Sequence, residues 1–332
     1  MSQRFKVVIA DFINEKLETE NRVLGEIADV VPLDANVEAD LIGRIDDAHA
    51  VMLYHNVALT RTTIDRLIRC KLIVRCGVGY DNVDYRYARE RGIPVANVPD
   101  YGTEEVADSA IGMALALTRG IALLNSLLKA GRGEEWTYKH AVPIHRLRGR
   151  VFAIAGLGRI GTATALRAKA LGMDVVFFDP FRPDGFDKAL GIRRADTLDD
   201  LLKQAFVLSL HCPLTPETKG MIDATAIAKM PRGSFLVNTS RGAVVDTSAI
   251  PDAIASGQLA GASIDVIAVE PPPPDDPFIR AWRDPGHPAH HRVIVNPHSA
   301  FYAEEGLLDM RIKGSQACRK ALLGLPLLNV VN

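Results

Sequence analysis

The sequence predicts an α/β protein made of two doubly wound parallel-sheet domains, and three observations predict it. The chain has 332 residues, too long for one average domain and natural for two. Its first third alternates short apolar runs with helix-forming stretches, which implies parallel strands joined by crossover helices. A second unit of the same kind opens at Val151-Phe-Ala-Ile-Ala-Gly156-Leu-Gly158-Arg159-Ile160-Gly161.

Taken in order, Lys6 to Ala10 reads as a strand and Thr19 to Ile27 as a helix. Val30 to Pro32 is a short strand and Glu38 to Ile45 a helix. Ala50 to Tyr54 is a strand, Thr62 to Ile68 a helix and Leu72 to Arg75 a strand. Asp84 to Arg91 is a helix, and Val95 to Asn97 closes the first unit. Gly102 to Gly131 then reads as one long helix, with Thr103 as N-cap and Glu104 and Glu105 suiting the dipole of its first turn. It is apolar on most faces through Ile111, Met113, Leu115, Leu117, Ile121, Leu124, Leu127 and Leu128. Such a helix is buried, either between domains or in an oligomer contact, and two-fold pairing makes a homodimer the expected assembly. Gly131-Arg-Gly133 ends it.

The glycine stretch has an apolar strand before it, a helix-forming segment from Thr162 to Leu171 after it, and a second apolar run, Val175 to Phe178, that ends in Asp179. A dinucleotide-binding unit puts its ribose-binding carboxylate about 20 residues past the glycines. Gly156 permits the tight turn, Gly158 lets the backbone approach a pyrophosphate, and Gly161 lets helix and strand pack closely. The helix N-terminus offers free N–H groups to the phosphates. Asp179 accepts ribose hydroxyls and repels a 2′-phosphate, so NAD is expected over NADP, although Arg182 stands nearby.

Alternation continues with helices at Leu198 to Gln204 and Asp223 to Lys229. Strands are expected at Phe206 to Leu210, Ser234 to Asn238, Ala262 to Val266 and Val293 to Asn296. The proline-rich Pro271 to Pro288, with His287, His290 and His291 in or beside it, reads as a surface loop and lacks metal-ligand spacing. No metal site is expected. A last helix runs from Ala303 to Leu323, and packing it back on the first unit would make that domain discontinuous.

Three polar residues stand at the ends of strands in the second unit: Arg241, Glu270 and His298. Ligands of open α/β sheets bind at carboxyl strand ends where strand order reverses. An arginine fork binds a carboxylate and polarises the neighbouring carbonyl. Histidine donates a proton near neutral pH, and a carboxylate beside it orients the ring. Singly, each has a plainer reading: His298 as a turn residue, Glu270 as a loop charge, Arg241 as a C-cap. Together, downstream of a dinucleotide motif, they suit hydride exchange with a 2-keto acid.

These residues also carry a resemblance. From about Tyr54 to Ala321 the chain resembles the D-isomer-specific 2-hydroxyacid dehydrogenases. The matching motifs are Arg75-Cys-Gly-Val-Gly-Tyr-Asp-Asn-Val-Asp, Gly156-Leu-Gly-Arg-Ile-Gly, Leu236-Val-Asn-Thr-Ser-Arg-Gly, Asp265 through Glu270-Pro271, and Pro297-His298. The resemblance implies a Rossmann NAD-binding domain over residues 101–300. It also implies a flavodoxin-like substrate domain from 1–100 plus 301–332, with a cleft between the two. It makes Arg241, Glu270 and His298 the catalytic set, and Val78 and Gly79 donors to the substrate carboxylate. Thr103, Arg159, Ile160, Cys212 and Thr239 become cofactor contacts, and Asp265 the partner of the nicotinamide amide.

Tyr54-His55, Val74-Arg75 and Thr103-Glu-Glu-Val-Ala-Asp are similar to the branch containing the C-terminal-binding-protein corepressors. In that branch the counterpart of Arg75 adds a substrate contact, and Tyr54 and His55 join the substrate candidates. The branch carries a Trp a few residues after the catalytic His, where Phe301-Tyr302 stand here, which leaves the pocket aromatic but puts the branch's substrate preference in doubt. Tyr54, Tyr101, Phe301 and Tyr302 suggest an aromatic wall. The alternative to a dehydrogenase is an NAD(H)-sensing scaffold; a pure scaffold need not keep an arginine fork and an acid beside the imidazole.

Bulk properties exclude other classes. Lys plus Arg number 39 and Asp plus Glu 40, which leaves no electrostatic footprint for nucleic acid and no polybasic patch for anionic lipid. Four scattered cysteines, Cys70, Cys76, Cys212 and Cys318, read as reduced thiols of a cytoplasmic protein. The N-terminus runs straight into a strand, with no signal peptide expected, and Ala110 to Leu117 is too short to span a bilayer.

Overall fold

The computed structural model describes residues 4–14, 16–131 and 136–332; the end placed at Gly133 for the long helix lies outside them. The chain separates into two compact units, one from Met1–Gly102 and Tyr302–Asn332, the other from Thr103–Phe301.

The first unit begins with β1 (Phe5–Ile9), α1 (Glu18–Leu24), β2 (Ala28–Pro32) and β3 (Ala50–Leu53). It continues with α2 (Arg61–Ile64), β4 (Ile73–Arg75), α3 (Tyr85–Glu90) and β5 (Val95–Asn97). The strands pair in parallel in the order β2-β1-β3-β4-β5, the flavodoxin-like order the sequence implies. Residues with alternating apolar faces, among them Val8, Val51, Leu53, Ile73 and Val95, fill one core. The helix expected from Glu38 to Ile45 is a single 3-10 turn, Glu38–Leu41. Gly43 takes φ +78° and stops it, and the Asp40 carboxylate binds the Asn36 and Val37 amides rather than helping the chain coil onward.

The second unit opens with α4 (Thr103–Thr118) and α5 (Ile121–Lys129). The sequence predicts one helix here; the structure has two, bent by 65°. Gly120 at the break has φ 67° and a Cβ there would lie 2.8 Å from the Ala141 Cβ, so the kink is also a packing contact. Thr103 is the first helical residue, not the cap. The sheet is built from β6 (Val151–Ala155), β7 (Asp174–Phe178), β8 (Arg193–Arg194), β9 (Val207–Leu210), β10 (Ser234–Asn238), β11 (Leu259–Ile264) and β12 (Val293–Val295). Its crossovers include α6 (Arg159–Ala170), α7 (Phe186–Leu190), α8 (Leu198–Leu202), α9 (Ala224–Lys229), α10 (Ile250–Ala255) and α11 (Pro277–Arg283).

All seven strands are parallel, in the order β12-β11-β10-β9-β6-β7-β8. Strand order reverses between β6 and β9, so the turn after β6 sits at the switch point. Helix α11 corrects the expectation of a plain loop from Pro271 to Pro288. Asp276 caps it by accepting from the Ile279 amide, Pro277 pre-sets its first turn, and Phe278 and Ile279 are buried in the core.

Residues 302–332 return to the first unit as α12 (Glu304–Leu322). A buried, two-pronged ion pair fixes it to α1: Arg311 Nε and Nη2 lie 2.6 and 2.8 Å from the Glu20 carboxylate oxygens. The last residues add an antiparallel rung to β5, where the Val331 amide donates to Val95 O and the Asn332 side chain binds Val95 N, Tyr85 O and Ile93 O.

Candidate active site

In the second unit the glycine turn joins β6 to α6. A Cβ on Gly156 would lie 2.8 Å from the Cys212 amide and the His211 carbonyl, and one on Gly161 would lie 2.1 Å from Gly156 O. Both positions must be glycine for β9 and α6 to close on the turn. A Cβ on Gly158 would meet only an Arg182 nitrogen, at 3.9 Å. That open side, with Arg159 and Ile160 in the first turn of α6, is where a pyrophosphate has room. Asp179, at the end of β7, is buried and already holds the turn, accepting from the Leu157 amide at 2.8 Å and the Phe181 amide at 2.9 Å. Arg182 Nε stands 3.4 Å from it. The carboxylate expected to read the ribose therefore also builds the loop.

Two further groups fit a dinucleotide here. Thr239, just past β10, buries a hydroxyl with no hydrogen-bond partner among the described residues. Cys212, just past β9, is half-buried, and burial pushes its thiol up to about 11, which makes it a poor nucleophile. Behind the turn, His211 is a residue that sequence reasoning missed. Its ring bonds Ser209 Oγ at 2.9 Å, and burial pushes it down to about 3, so the imidazole is neutral.

The structure brings Arg241, Glu270 and His298 to the carboxyl ends of β10, β11 and β12. Arg241 follows β10 and begins a 3-10 turn, Gly242–Val244. A Cβ on Gly242 would lie 1.9 Å from the Ile267 carbonyl carbon, so only glycine lets this segment abut the chain leading to Glu270. Asn238, fully buried, accepts from the Ser240 amide and hydroxyl and donates to Arg241 O. His298 Nδ1 lies 2.7 Å from Glu270 Oε2, while Glu270 Oε1 accepts from the Ile267 amide at 2.9 Å. Burial pushes the Glu270 carboxyl up, but the His298 bond and charge, the Ile267 amide and the nearby Arg241 outweigh it and hold it below the usual range.

His298 takes φ 51°, a left-handed conformation that an unsupported histidine seldom adopts. Asp265 supports it. Its carbonyl accepts from the His298 amide at 2.8 Å, and its carboxylate accepts from the Ser299 and Ala300 amides at 2.9 and 3.1 Å. Burial raises the Asp265 carboxyl, offset in part by those amides. The residue read from the family as the nicotinamide partner thus also anchors the histidine loop. Phe301 meets the His298 ring edge-on at 6.0 Å.

In the first unit the candidates stand at or just past the ends of β3 and β4. Asp11, fully buried and absent from the sequence reading, accepts from the Tyr54, Asn56 and Val57 amides at 2.7, 2.6 and 3.2 Å. Burial raises its carboxyl, more than these donors and Arg75 lower it. It holds the loop that carries His55. Tyr54 requires a correction: its side chain is 1% exposed and packs at 5.4 Å on Phe12, so its ring is core and no part of an aromatic wall. Tyr302 is half exposed, with its hydroxyl on Glu304. Arg75 is buried after β4, and its Nη1 would lie 1.6 Å from a Cβ on Gly77, which explains the glycine in the Arg75-Cys-Gly-Val-Gly motif. Val78 O accepts from Asn97 Nδ2, which ties the Val78-Gly79 segment to the end of β5.

Comparison with known proteins gives the family. Residues 111–300 match the profile of the D-isomer specific 2-hydroxyacid dehydrogenase NAD binding domain. The chain is 32% identical, over 98% of its length, to D-3-phosphoglycerate dehydrogenase of Methanocaldococcus jannaschii, of which it spans 59%. It is 33% identical, over 92% of its length, to C-terminal-binding protein 1 of Caenorhabditis elegans, of which it spans 42%. Among solved structures, D-lactate dehydrogenase of Aquifex aeolicus, complexed with NAD and lactic acid, matches with a TM-score of 0.83 at 26% identity over 96% of each chain. The seven-stranded unit is therefore an NAD-binding domain, and the chain belongs to the D-isomer specific 2-hydroxyacid dehydrogenase family.

Proposed function

We propose that this protein is an NAD-dependent D-2-hydroxyacid dehydrogenase that reduces a small 2-keto acid. The observation that carries the reading is the 2.7 Å contact of His298 Nδ1 with Glu270, at the same sheet edge as the glycine turn. When bound, NADH supplies a hydride for the keto carbon. Arg241 forks across the substrate carboxylate and carbonyl oxygen, drawing electron density from the carbon that is attacked. Glu270 takes the Nδ1 proton of His298 in a hydrogen bond, which leaves Nε2 to deliver its proton to the developing alkoxide. Asp265 and Asn238 position His298 and Arg241 through backbone atoms. In the first unit, Arg75 and the Val78 and Gly79 amides are the groups suited to a carboxylate.

The test is a panel of 2-keto acids with NADH, run on the parent and on His298→Ala. Turnover should fall by about 10² to 10⁴ in the variant while NADH still binds. A variant that turns over within a few-fold of the parent sinks the assignment of the proton donor.

The proposed assembly is a homodimer, paired through α5. Helix α4 packs on α6, β10 and β11, whereas α5 exposes Ile121 at 58% and Leu128 at 43%. These two lie on one face of α5, which suits two-fold pairing. Light scattering at micromolar concentration should give twice the chain mass; the monomer mass would exclude it.

A further inference from the structure

The seven-stranded sheet has a second edge, where its strands begin, and that edge is not bare. Beside the starts of β6, β10 and β11 lies a cavity of about 410 Å³, within the size range of small-molecule sites. A five-residue strand places it roughly 17 Å from the carboxyl edge that carries the glycine turn and His298, so neither the dinucleotide nor the keto acid accounts for it.

Its lining is unusual in charge. Arg150, Arg232, Arg292, His145 and His291 all contribute, and among the described residues no Asp or Glu does. Among the described residues none of the three arginines is paired with a carboxylate. Arg232 donates to Ser256 O at 2.6 Å and Arg292 to Ala260 O at 3.4 Å, both neutral carbonyls. The Arg150 guanidinium lies 5.3 Å over the Phe206 ring. Arg150 and Arg232 are exposed and Arg292 is half-buried, so their guanidiniums are open to a ligand, and their planar forks match an oxyanion.

Most of the remaining wall is apolar, including Phe206, with Leu117 and Leu123 contributed by α4 and α5. Ser234, a further lining residue, buries a hydroxyl with no hydrogen-bond partner among the described residues. An apolar wall with a few converging polar groups is the usual make-up of a ligand site. On α5 the cavity is met by Ala122 and Leu123, and the exposed Ile121 and Leu128 are not among its lining residues.

We propose that this cavity is a second ligand site, for a small amphipathic anion: an apolar or aromatic body bearing one oxyanion group. The body packs on Phe206 and Leu123 and the oxyanion meets Arg150 and Arg232. Being at the opposite edge of the NAD-binding domain, the site takes its ligand alongside the dinucleotide, not in competition with it.

Calorimetric titration of the full chain, with NAD⁺ in saturating excess to fill the carboxyl edge, tests this with phenyl phosphate as probe. Phenyl phosphate should bind once per chain, at least tenfold more tightly than inorganic phosphate or phenol. The double variant Arg150→Gln/Arg232→Gln should weaken binding at least tenfold. Leu123→Trp, which fills the apolar part and leaves every charge in place, should weaken it as much. Retained NAD⁺ binding shows that each variant is folded. The proposal is overturned if phenyl phosphate does not bind, if phenol binds as tightly, or if either variant binds it as the parent does. It is equally overturned if sedimentation shows that only dissociated monomer binds, because a second copy of the chain would then fill the cavity.

Discussion

Glu270→Gln removes one charge from the candidate active site and no heavy atom. The parent carboxylate accepts twice, from His298 Nδ1 at 2.7 Å and from the Ile267 amide at 2.9 Å. A glutamine has one oxygen and one NH₂ for those two places. If its oxygen stays on Ile267, its NH₂ donates to Nδ1 and forces the His298 proton onto Nε2 of a neutral ring, which is a poor acid. If its oxygen faces His298, its NH₂ opposes the Ile267 N–H, donor against donor. Either arrangement loses a hydrogen bond to a charged group, about 1.5–3 kcal/mol, which is a factor of roughly 10 to 150 in rate. The two side chains are 28% and 35% exposed, so water screens part of the effect and the lower end is expected. Steady-state oxidation of NADH at saturating keto acid reads the loss in kcat, while the KM for NADH should hardly move. A kcat within threefold of the parent would falsify the pairing as a catalytic device.

Other perturbations follow from the same geometry. Arg241→Lys should lower kcat/KM by at least about tenfold although charge is conserved, because an ammonium cannot fork; a milder loss there than in Arg75→Ala would exchange their roles. Asp179→Ala should narrow the NADH-to-NADPH ratio of kcat/KM by at least roughly tenfold, about 1.4 kcal/mol; an unmoved ratio means Asp179 only holds the loop. Glu20→Gln removes one charge from the buried pair with Arg311 and should cost about 3 kcal/mol. Replacing both by apolar residues should recover most of that loss in a calorimetric melt, and a single variant as stable as the parent refutes the argument. His211 is neutral in the folded protein down to about pH 3, whereas an unfolded histidine takes a proton below about 6.5. Its contribution to stability is therefore complete above about pH 6.5 and is lost as pH falls toward 3. His211→Gln should flatten the acid limb of the melting profile, and an unchanged limb would mean that other groups set it.

Most of both sheets was legible in the sequence because most strands carry an apolar run of their own; β8, Arg193–Arg194, has none, and it and helices α7 and α10 were missed. The glycine turn was legible because its residues stand side by side in the chain. Local breaks were less so. Gly120 sits inside an apolar pattern that runs on without pause, and only its left-handed conformation and the approach of Ala141 show that the helix ends there. Helix α11 hid in a run of prolines, one of which, Pro277, starts it. The catalytic candidates could be named from chemistry, yet the residues that hold them could not. Asp11 serves amides that stand 43 to 46 residues away, and Asp265 serves amides 34 and 35 residues on. Tyr54 misled because its ring is large enough for a pocket wall, and nothing in its neighbours tells which way it turns.

The rung that the last residues add to β5 bears on how the chain is made. Val95 and Asn332 stand 237 residues apart. At about 5–20 residues per second, a ribosome needs roughly 12–47 s to pass from one to the other. For that time β5 is a parallel-sheet edge with its amides and carbonyls open, a template for pairing with other nascent chains. The whole seven-stranded domain, residues 103–301, is synthesised within the same interval. Its own strands are free to pair as they emerge, so the inserted domain can be finished while its host still waits for Arg311 and Asn332. A chaperone that binds this protein during synthesis should therefore be held by the first hundred residues and released when the last thirty arrive.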